Sequence, residues 1–218
     1  MDDPEIEPSV HRAALRGLAR LNRASGIVRT VSREFGRIAG REPIRVLDVA
    51  AGSGDLVVAL ARHARRADLP WTFAACDISP TACVAIRERA EAAGVGVDVR
   101  QVDALAEHLP QGHDVVMCHL FLHHLSEYEI TTVLSRMRSA ASRSVLVTDL
   151  KRSRAGYALA FAASRLLTRS PIVHTDALRS VEGALTTVEL SACARQAGFP
   201  DPRIRTAWPE RMILRWDA

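Results

Sequence analysis

Lysine is nearly missing: of the 29 basic residues, only Lys151 is not an arginine. Such a bias follows from a genome rich in G and C and carries no chemistry by itself. Aromatic residues make up only 5% of the chain, so the basic stretches lack the interleaved rings on which single-stranded nucleic acid stacks. No nucleic-acid partner is expected. No run of 18 apolar residues occurs, which argues against a membrane-spanning helix. The opening residues, MDDPEIEPSV, are acidic where a secretory signal is basic and then apolar. The expected location is therefore the cytoplasm. The four cysteines (Cys76, Cys83, Cys118, Cys193) lie far apart, without CxxC spacing or the density of a disulfide framework. They read as buried thiols, and no metal site is expected. Internal repeats and low-complexity linkers are also absent.

A chain of 218 residues, 48% hydrophobic, suits one domain with a two-sided core. Its most informative segment is 44–55, IRVLDVAAGSGD: a short apolar strand containing an acid, then a glycine pair opening a helix over 55–67. Gly52 and Gly54 lack the Cβ that would stop the backbone from turning sharply and approaching a ligand. The helix start offers unpaired amides and a positive dipole end to an anionic group. Strand, turn and helix form the nucleotide-type crevice of open α/β sheets. Asp77 closes the next apolar run, where an acid accepts hydrogen bonds from ribose hydroxyls. A dinucleotide fingerprint would put its third glycine at position 57. That residue is Val57, which speaks against a nicotinamide or flavin cofactor.

Apolar strands at 45–49, 72–76, 96–100, 114–118 and 144–148 alternate with amphipathic helices, the pattern of a parallel sheet covered on both faces. Ser79 and Pro80 start one helix, and Gly94 closes it. Ser126 with Glu129, and Thr186 with Glu189, are capping boxes. Two helices, 10–21 and 27–38, precede the sheet, with Ser9 and Ser25 as caps. Segments 203–208 and 211–216 flank Pro209 and Glu210 as a terminal hairpin. The expected division is a helical cap (1–40), a cofactor-binding core (41–150), an insert (151–185) and a last helix with hairpin (186–218). The insert carries an apolar helix at 157–167, too short to span a bilayer. It reads as a lid over the acceptor pocket or as a homodimer contact.

The segments VLDVAAGSGD (46–55), ACDISP (75–80), QVDAL (101–105) and DVVMCHLFLHHL (114–125) follow one another at one per βα unit. With them the chain resembles a class I S-adenosylmethionine-dependent methyltransferase over roughly residues 25 to 218. LFLHHL further resembles the ubiquinone and menaquinone methylase-like subgroup that modifies small phenolic or quinone-like molecules. The resemblance implies a Rossmann-like, seven-stranded, mostly parallel sheet with an antiparallel last strand. It also implies S-adenosylmethionine as cofactor and S-adenosylhomocysteine as product. On these motifs Asp48, Ala50, Gly52 and Gly54 line the methionine half, and Arg29 or Arg33 reaches the methionine carboxylate. Asp77 binds the ribose, Ile78 packs on adenine, and Asp103 with Ala104 meets the adenine edge. His119 and His124 border the cofactor.

Methyl transfer from a sulfonium needs alignment more than acid or base help at sulfur, and such positioning is worth roughly 7 to 11 kcal/mol. A hydroxyl acceptor must still lose its proton, and histidine, with a pKa of ~6.5, can take it. His119, at the carboxyl end of the fourth strand, is the first candidate. His174, in the insert, is the second. His123 and His124 read as residues that fix the loop. Tyr157, Phe161 and Arg165, spaced by four, either face an apolar acceptor or pack in the core. The leading expectation is metal-independent transfer to a small, largely apolar, hydroxylated acceptor such as a phenol, polyketide or quinone precursor. The alternatives are an RNA or protein methyltransferase, supported by the arginine-rich stretch 136–169, and a non-catalytic cofactor-binding partner. A solvated face, a phosphate-bearing partner and a membrane surface all remain open for that stretch.

Overall fold

The computed structural model describes residues 26–167 and 171–218. The expected first helix, 10–21, lies outside the described residues, as do its cap Ser9 and Ser25. Seven strands form one sheet in the order β3-β2-β1-β4-β5-β7-β6. They are β1 (Ile44–Val49), β2 (Trp71–Asp77), β3 (Asp98–Gln101), β4 (His113–His119), β5 (Ala141–Leu150), β6 (Arg203–Ala207) and β7 (Arg211–Asp217). Strands β1 to β5 run parallel. Strand β7 runs antiparallel to both β5 and β6. The chain order reverses between β1 and β4, and ligands of such sheets bind at that switch point, beyond the carboxyl ends.

Successive residues of the central strands face opposite sides, and the core divides accordingly. On one side Val46, Val115, Met117 and Leu146 pack under α1 (Ile27–Ala39), α2 (Asp55–Arg66) and α3 (Pro80–Ala93). On the other, Leu47, Val116, Cys118 and Val147 pack under α4 (Glu127–Ala140) and α7 (Thr187–Gln196). Three of the expected N-caps are made: Ser79 accepts from the Ala82 amide, and Ser126 and Thr186 form capping boxes with Glu129 and Glu189. Helix α1 is capped instead by Gly26, in the left-handed region at φ 65°. Its buried Glu34 receives Arg205 of β6 at 2.5 Å and Arg215 of β7 at 3.7 Å, tying α1 to the hairpin edge.

The insert holds two helices where the sequence pattern suggests one: α5 (Arg154–Leu167) and α6 (Pro171–Gly183). Pro171 stands in the first turn of α6, where its missing N–H costs nothing. It therefore starts a helix and does not merely end one. The insert is fastened at both ends. The Lys151 amide donates to the Glu210 carbonyl and the Arg152 amide to Leu185, each at 2.9 Å. Lys151 Nζ and Ser153 Oγ also meet the Glu210 carboxylate, at 2.9 and 2.7 Å.

Candidate active site

The carboxyl ends of β1, β2 and β4 open into a cavity of about 1510 Å³, roofed by α5, α6 and the turn before β7. Its first wall is the turn after β1. Ala50 there adopts φ 53° and Gly52 φ 55°. A Cβ added at Gly52 would meet nothing within 4 Å, so the backbone at this point is open to the cavity. Gly54 differs: a Cβ there would lie 2.9 Å from Ile86 Cγ1. Its work is to let α2 pack on α3, and it does not line the cavity.

Two carboxylates stand behind this turn. Asp48 is 2% exposed, and its Oδ1 has no hydrogen-bond partner. Burial, and then the neighbouring Asp77 carboxylate, push its pKa up to about 8. An uncompensated polar oxygen in a cavity wall is a costly arrangement that a cationic ligand relieves. Asp77 accepts the Gly52 amide on Oδ2 at 2.8 Å and the Ser79 amide on Oδ1 at 2.9 Å. Each oxygen keeps a lone pair for an incoming hydroxyl. Ile78, Asp103 and Ala104 continue the wall, with Ile78 mostly exposed. Asp103 Oδ1 accepts the Leu105 amide at 2.8 Å, which fixes the side chain.

At the end of β4, His119 pairs in register with Thr148 of β5, and its Nδ1 lies 2.7 Å from Thr148 Oγ1. Its Nε2 lies 3.5 Å from Nη1 of the buried Arg211. A guanidinium only donates, so Nε2 presents its lone pair to Arg211 and Nδ1 carries the hydrogen. Burial and the Arg211 charge drive the imidazole pKa down to about 3. His119 is thereby kept neutral, with its basic nitrogen turned to an arginine, an arrangement poorly suited to receiving a substrate proton.

The next turn holds a different pair. His123 Nδ1 lies 2.6 Å from Asp149 Oδ1, and both side chains are buried. Asp149 also accepts the amides of Phe121 and Leu122 on Oδ2, at 3.2 and 2.7 Å, and that of Leu150 on Oδ1. Burial works against its ionised form, but the His123 and backbone hydrogen bonds prevail and hold its pKa below the ordinary carboxylate range. Facing an anion, His123 Nδ1 must carry a hydrogen, which leaves Nε2 as the nitrogen able to accept a proton. His123 and His124 both line the cavity, their rings 4.1 Å apart.

Of the residues singled out from sequence, the cavity thus gathers Asp48, Ala50, Gly52, Asp77, Ile78, Asp103, Ala104, His119 and His124. Three fall outside its lining. Arg29, like Arg33, points to solvent on α1, where only Ile27 and Val28 reach the cavity. Gly54 is committed to helix packing. His174 lies on α6, whose cavity-facing residues are Asp176, Ala177, Ser180 and Val181. Tyr157 and Phe161 neither face the cavity nor pack in the core; they are exposed, and Leu159, Ala160 and Ala163 form the inner face of α5. Asp149 and Arg211 were missed. Asp149 had a legible signal, an acid closing an apolar strand as Asp77 does. Arg211 had none. Among the described residues, no group of three or more His, Cys, Asp or Glu is placed to hold a metal.

Residues 46–144 match the family model described as a methyltransferase domain. The demethylmenaquinone methyltransferase of Thermus thermophilus is 33% identical over 90 residues, covering 41% of this chain and 39% of that protein. The chain thus spans well under two thirds of that curated relative. The S-adenosylmethionine-dependent methyltransferase SibL superposes with a TM-score of 0.71 at 21% identity, over 97% of this chain and 59% of its own. The magnesium protoporphyrin IX methyltransferase of Synechocystis, solved with S-adenosylhomocysteine, gives 0.62 at 16% identity, over 99% and 89%. Sequence motifs, family model and fold thus point the same way: residues 46–144 match a methyltransferase domain, and the fold around them is that of Rossmann-like S-adenosylmethionine-dependent methyltransferases.

Proposed function

We propose that this chain is an S-adenosylmethionine-dependent methyltransferase that methylates a hydroxyl of a small, largely apolar acceptor such as a phenol or quinol, without a metal, a reading supported by the family match and the curated relative. The observation that carries this reading is the chemistry of the cavity at the carboxyl ends of β1, β2 and β4. It joins an unpartnered buried carboxylate oxygen to the apolar inner faces of α5 and α6, and includes a histidine backed by a buried aspartate. The residues fit the cofactor. Asp48 would compensate the ammonium, the open backbone at Gly52 would admit the methionine half, Asp77 would accept from the ribose, and Ile78, Asp103 and Ala104 would hold the adenine. Bound there, S-adenosylmethionine supplies an electrophilic methyl on a sulfonium that departs as a neutral thioether.

The protein's own part is alignment and removal of one proton. Leu159, Ala160, Ala163 and Val181 offer an apolar wall to an aromatic or prenylated acceptor and exclude water. His123 takes the hydroxyl proton at Nε2, and Asp149 stabilises the imidazolium through Nδ1–H. Proton transfer of this kind contributes about 10²- to 10⁴-fold. The Thermus relative named for demethylmenaquinone favours a quinol-type acceptor.

Calorimetry with S-adenosylmethionine and S-adenosylhomocysteine tests the cofactor half, and both should bind one to one. Incubation with a panel of phenols and quinols, read by mass spectrometry, tests the acceptor half. The expected product is one methylene heavier, with the methyl on oxygen. Failure of both ligands to bind removes the proposal.

A further inference from the structure

We propose that the outer face of α5, together with the Trp208 turn, is a docking surface for an anionic lipid bilayer. This goes beyond the methyl-transfer reading and does not depend on it. Residues 150–175 hold five basic residues and no acid. Within α5, Arg154, Ala158, Phe161 and Arg165 recur three and four apart and are all exposed, so they form the outermost line of the helix. Tyr157 and Leu166 flank this line, 39% and 84% exposed, and Phe161 is 46% exposed. Arg165 lies over the Phe161 ring, 3.5 Å from its centroid.

A second aromatic edge adjoins the helix. Trp208, 76% exposed, precedes Pro209 and Glu210. Glu210 is bound to Lys151 and Ser153 at the start of α5, and a Cβ at Gly156 would stand 3.5 Å from Glu210 Cβ. The Trp208 turn and the first turn of α5 are thus fastened together. Soluble surfaces scatter large apolar side chains singly; here Tyr157, Phe161, Leu166 and Trp208 share one region with Arg154 and Arg165.

The occupant follows from this chemistry. Arginines attract lipid phosphates, while tryptophan, tyrosine and phenylalanine settle at the boundary between headgroups and acyl chains. No acid on α5 opposes an anionic surface. An RNA strand would need open rings for stacking, and the Phe161 face is covered by Arg165. The docking also has a geometric consequence. The inner face of the same helix (Gly156, Leu159, Ala160, Ala163) lines the cavity, so a bilayer on the outer face lies one helix thickness from the acceptor pocket.

The test is co-sedimentation of the full chain with vesicles of phosphatidylcholine and phosphatidylglycerol against phosphatidylcholine alone. Binding is expected only to the anionic vesicles. It should weaken at least tenfold as salt rises from about 0.01 M to about 0.15 M, over which the screening length shrinks from about 30 Å to about 8 Å. The double variant R154E/R165E, both at exposed positions, should lose binding at least tenfold while its melting temperature and S-adenosylhomocysteine affinity stay unchanged. Trp71 and Trp216 are buried, so acrylamide quenching reports mainly on Trp208, and vesicles should protect it. The proposal is overturned by no sedimentation with anionic vesicles, by equal binding of R154E/R165E, or by capture on an RNA oligomer or polyglutamate without binding to vesicles. Cofactor affinity is measured separately, so failure here leaves the methyl-transfer reading untouched.

Discussion

Two histidines four positions apart are given opposite chemistry by their partners on β5 and β7. His119 meets a hydroxyl and a guanidinium; His123 meets a carboxylate. The Arg211 guanidinium disfavours a protonated ring at His119, whereas His123 has Nδ1 on a carboxylate and Nε2 left to accept, so proton removal is assigned to His123. H123Q should lower kcat by about 100-fold or more while leaving the S-adenosylhomocysteine Kd unchanged, because glutamine cannot take the proton. H119Q, by contrast, should leave kcat largely unchanged. A variant H123Q with normal kcat would show that alignment alone drives the transfer. Asp149 is a less informative target, since its carboxylate also anchors the amides of Phe121, Leu122 and Leu150, and a change there disturbs the whole turn.

Gly52 and Gly54, two residues apart in one turn between β1 and α2, answer to different constraints. Both have positive φ, so an alanine at either position costs about 1 to 2 kcal/mol of backbone strain. Only at Gly54 does the added methyl collide with a packed side chain, Ile86, adding about 1 to 3 kcal/mol. G54A should therefore lower the urea midpoint clearly, with an unchanged slope, and keep cofactor affinity in the fraction that stays folded. G52A should do the reverse, with modest destabilisation and a large loss of cofactor affinity. Equal midpoints for the two variants would sink this division of labour. That Gly52 and Gly54 mark a turn was legible in the sequence; which of them faces a ligand was not, because it depends on where α3 sits. The same holds elsewhere. The five parallel strands and three helix caps could be read because apolar runs and capping residues are local signals. The His123 to Asp149 contact and the approach of Arg211 to His119 depend on the β4–β5 and β5–β7 register, which no local pattern encodes. Helix α6 was obscured by Pro171, whose effect depends on whether a helix starts or stops there.

The cavity is walled by α1, the β1 turn, α5, α6 and the hairpin turn, so a ligand in it stabilises the molecule as a unit. At a concentration about 100 times its Kd, a ligand that binds only the folded state adds about 2.7 kcal/mol. At 2 to 4 °C per kcal/mol for a chain of this size, S-adenosylhomocysteine should raise Tm by roughly 5 to 11 °C. The size of that rise should depend on pH through Asp48. Its folded pKa, about 8, lies above the ordinary value, so between about pH 4 and pH 8 the folded state binds more protons than the unfolded one, and stability falls as pH rises. His119 acts oppositely. Its folded pKa, about 3, lies below the ordinary value, so stability is lost as pH falls from about 6.5 towards 3. That effect is shared by the free and bound forms and drops out of their difference. A ligand ammonium beside Asp48 favours the ionised carboxylate, so binding should tighten from pH 5.5 to pH 7, a window in which an amino group of pKa about 7.7 to 8.0 stays protonated. The S-adenosylhomocysteine shift, at one fixed concentration, should thus be larger at pH 7 than at pH 5.5. In D48N this difference should disappear, and the ligand-free protein should melt higher than the parent at pH 7 because no buried acid is left to ionise on unfolding. Equal shifts at both pH values in the parent protein would mean that Asp48 does not face the ammonium, and the orientation of the cofactor in the cavity would have to be reversed.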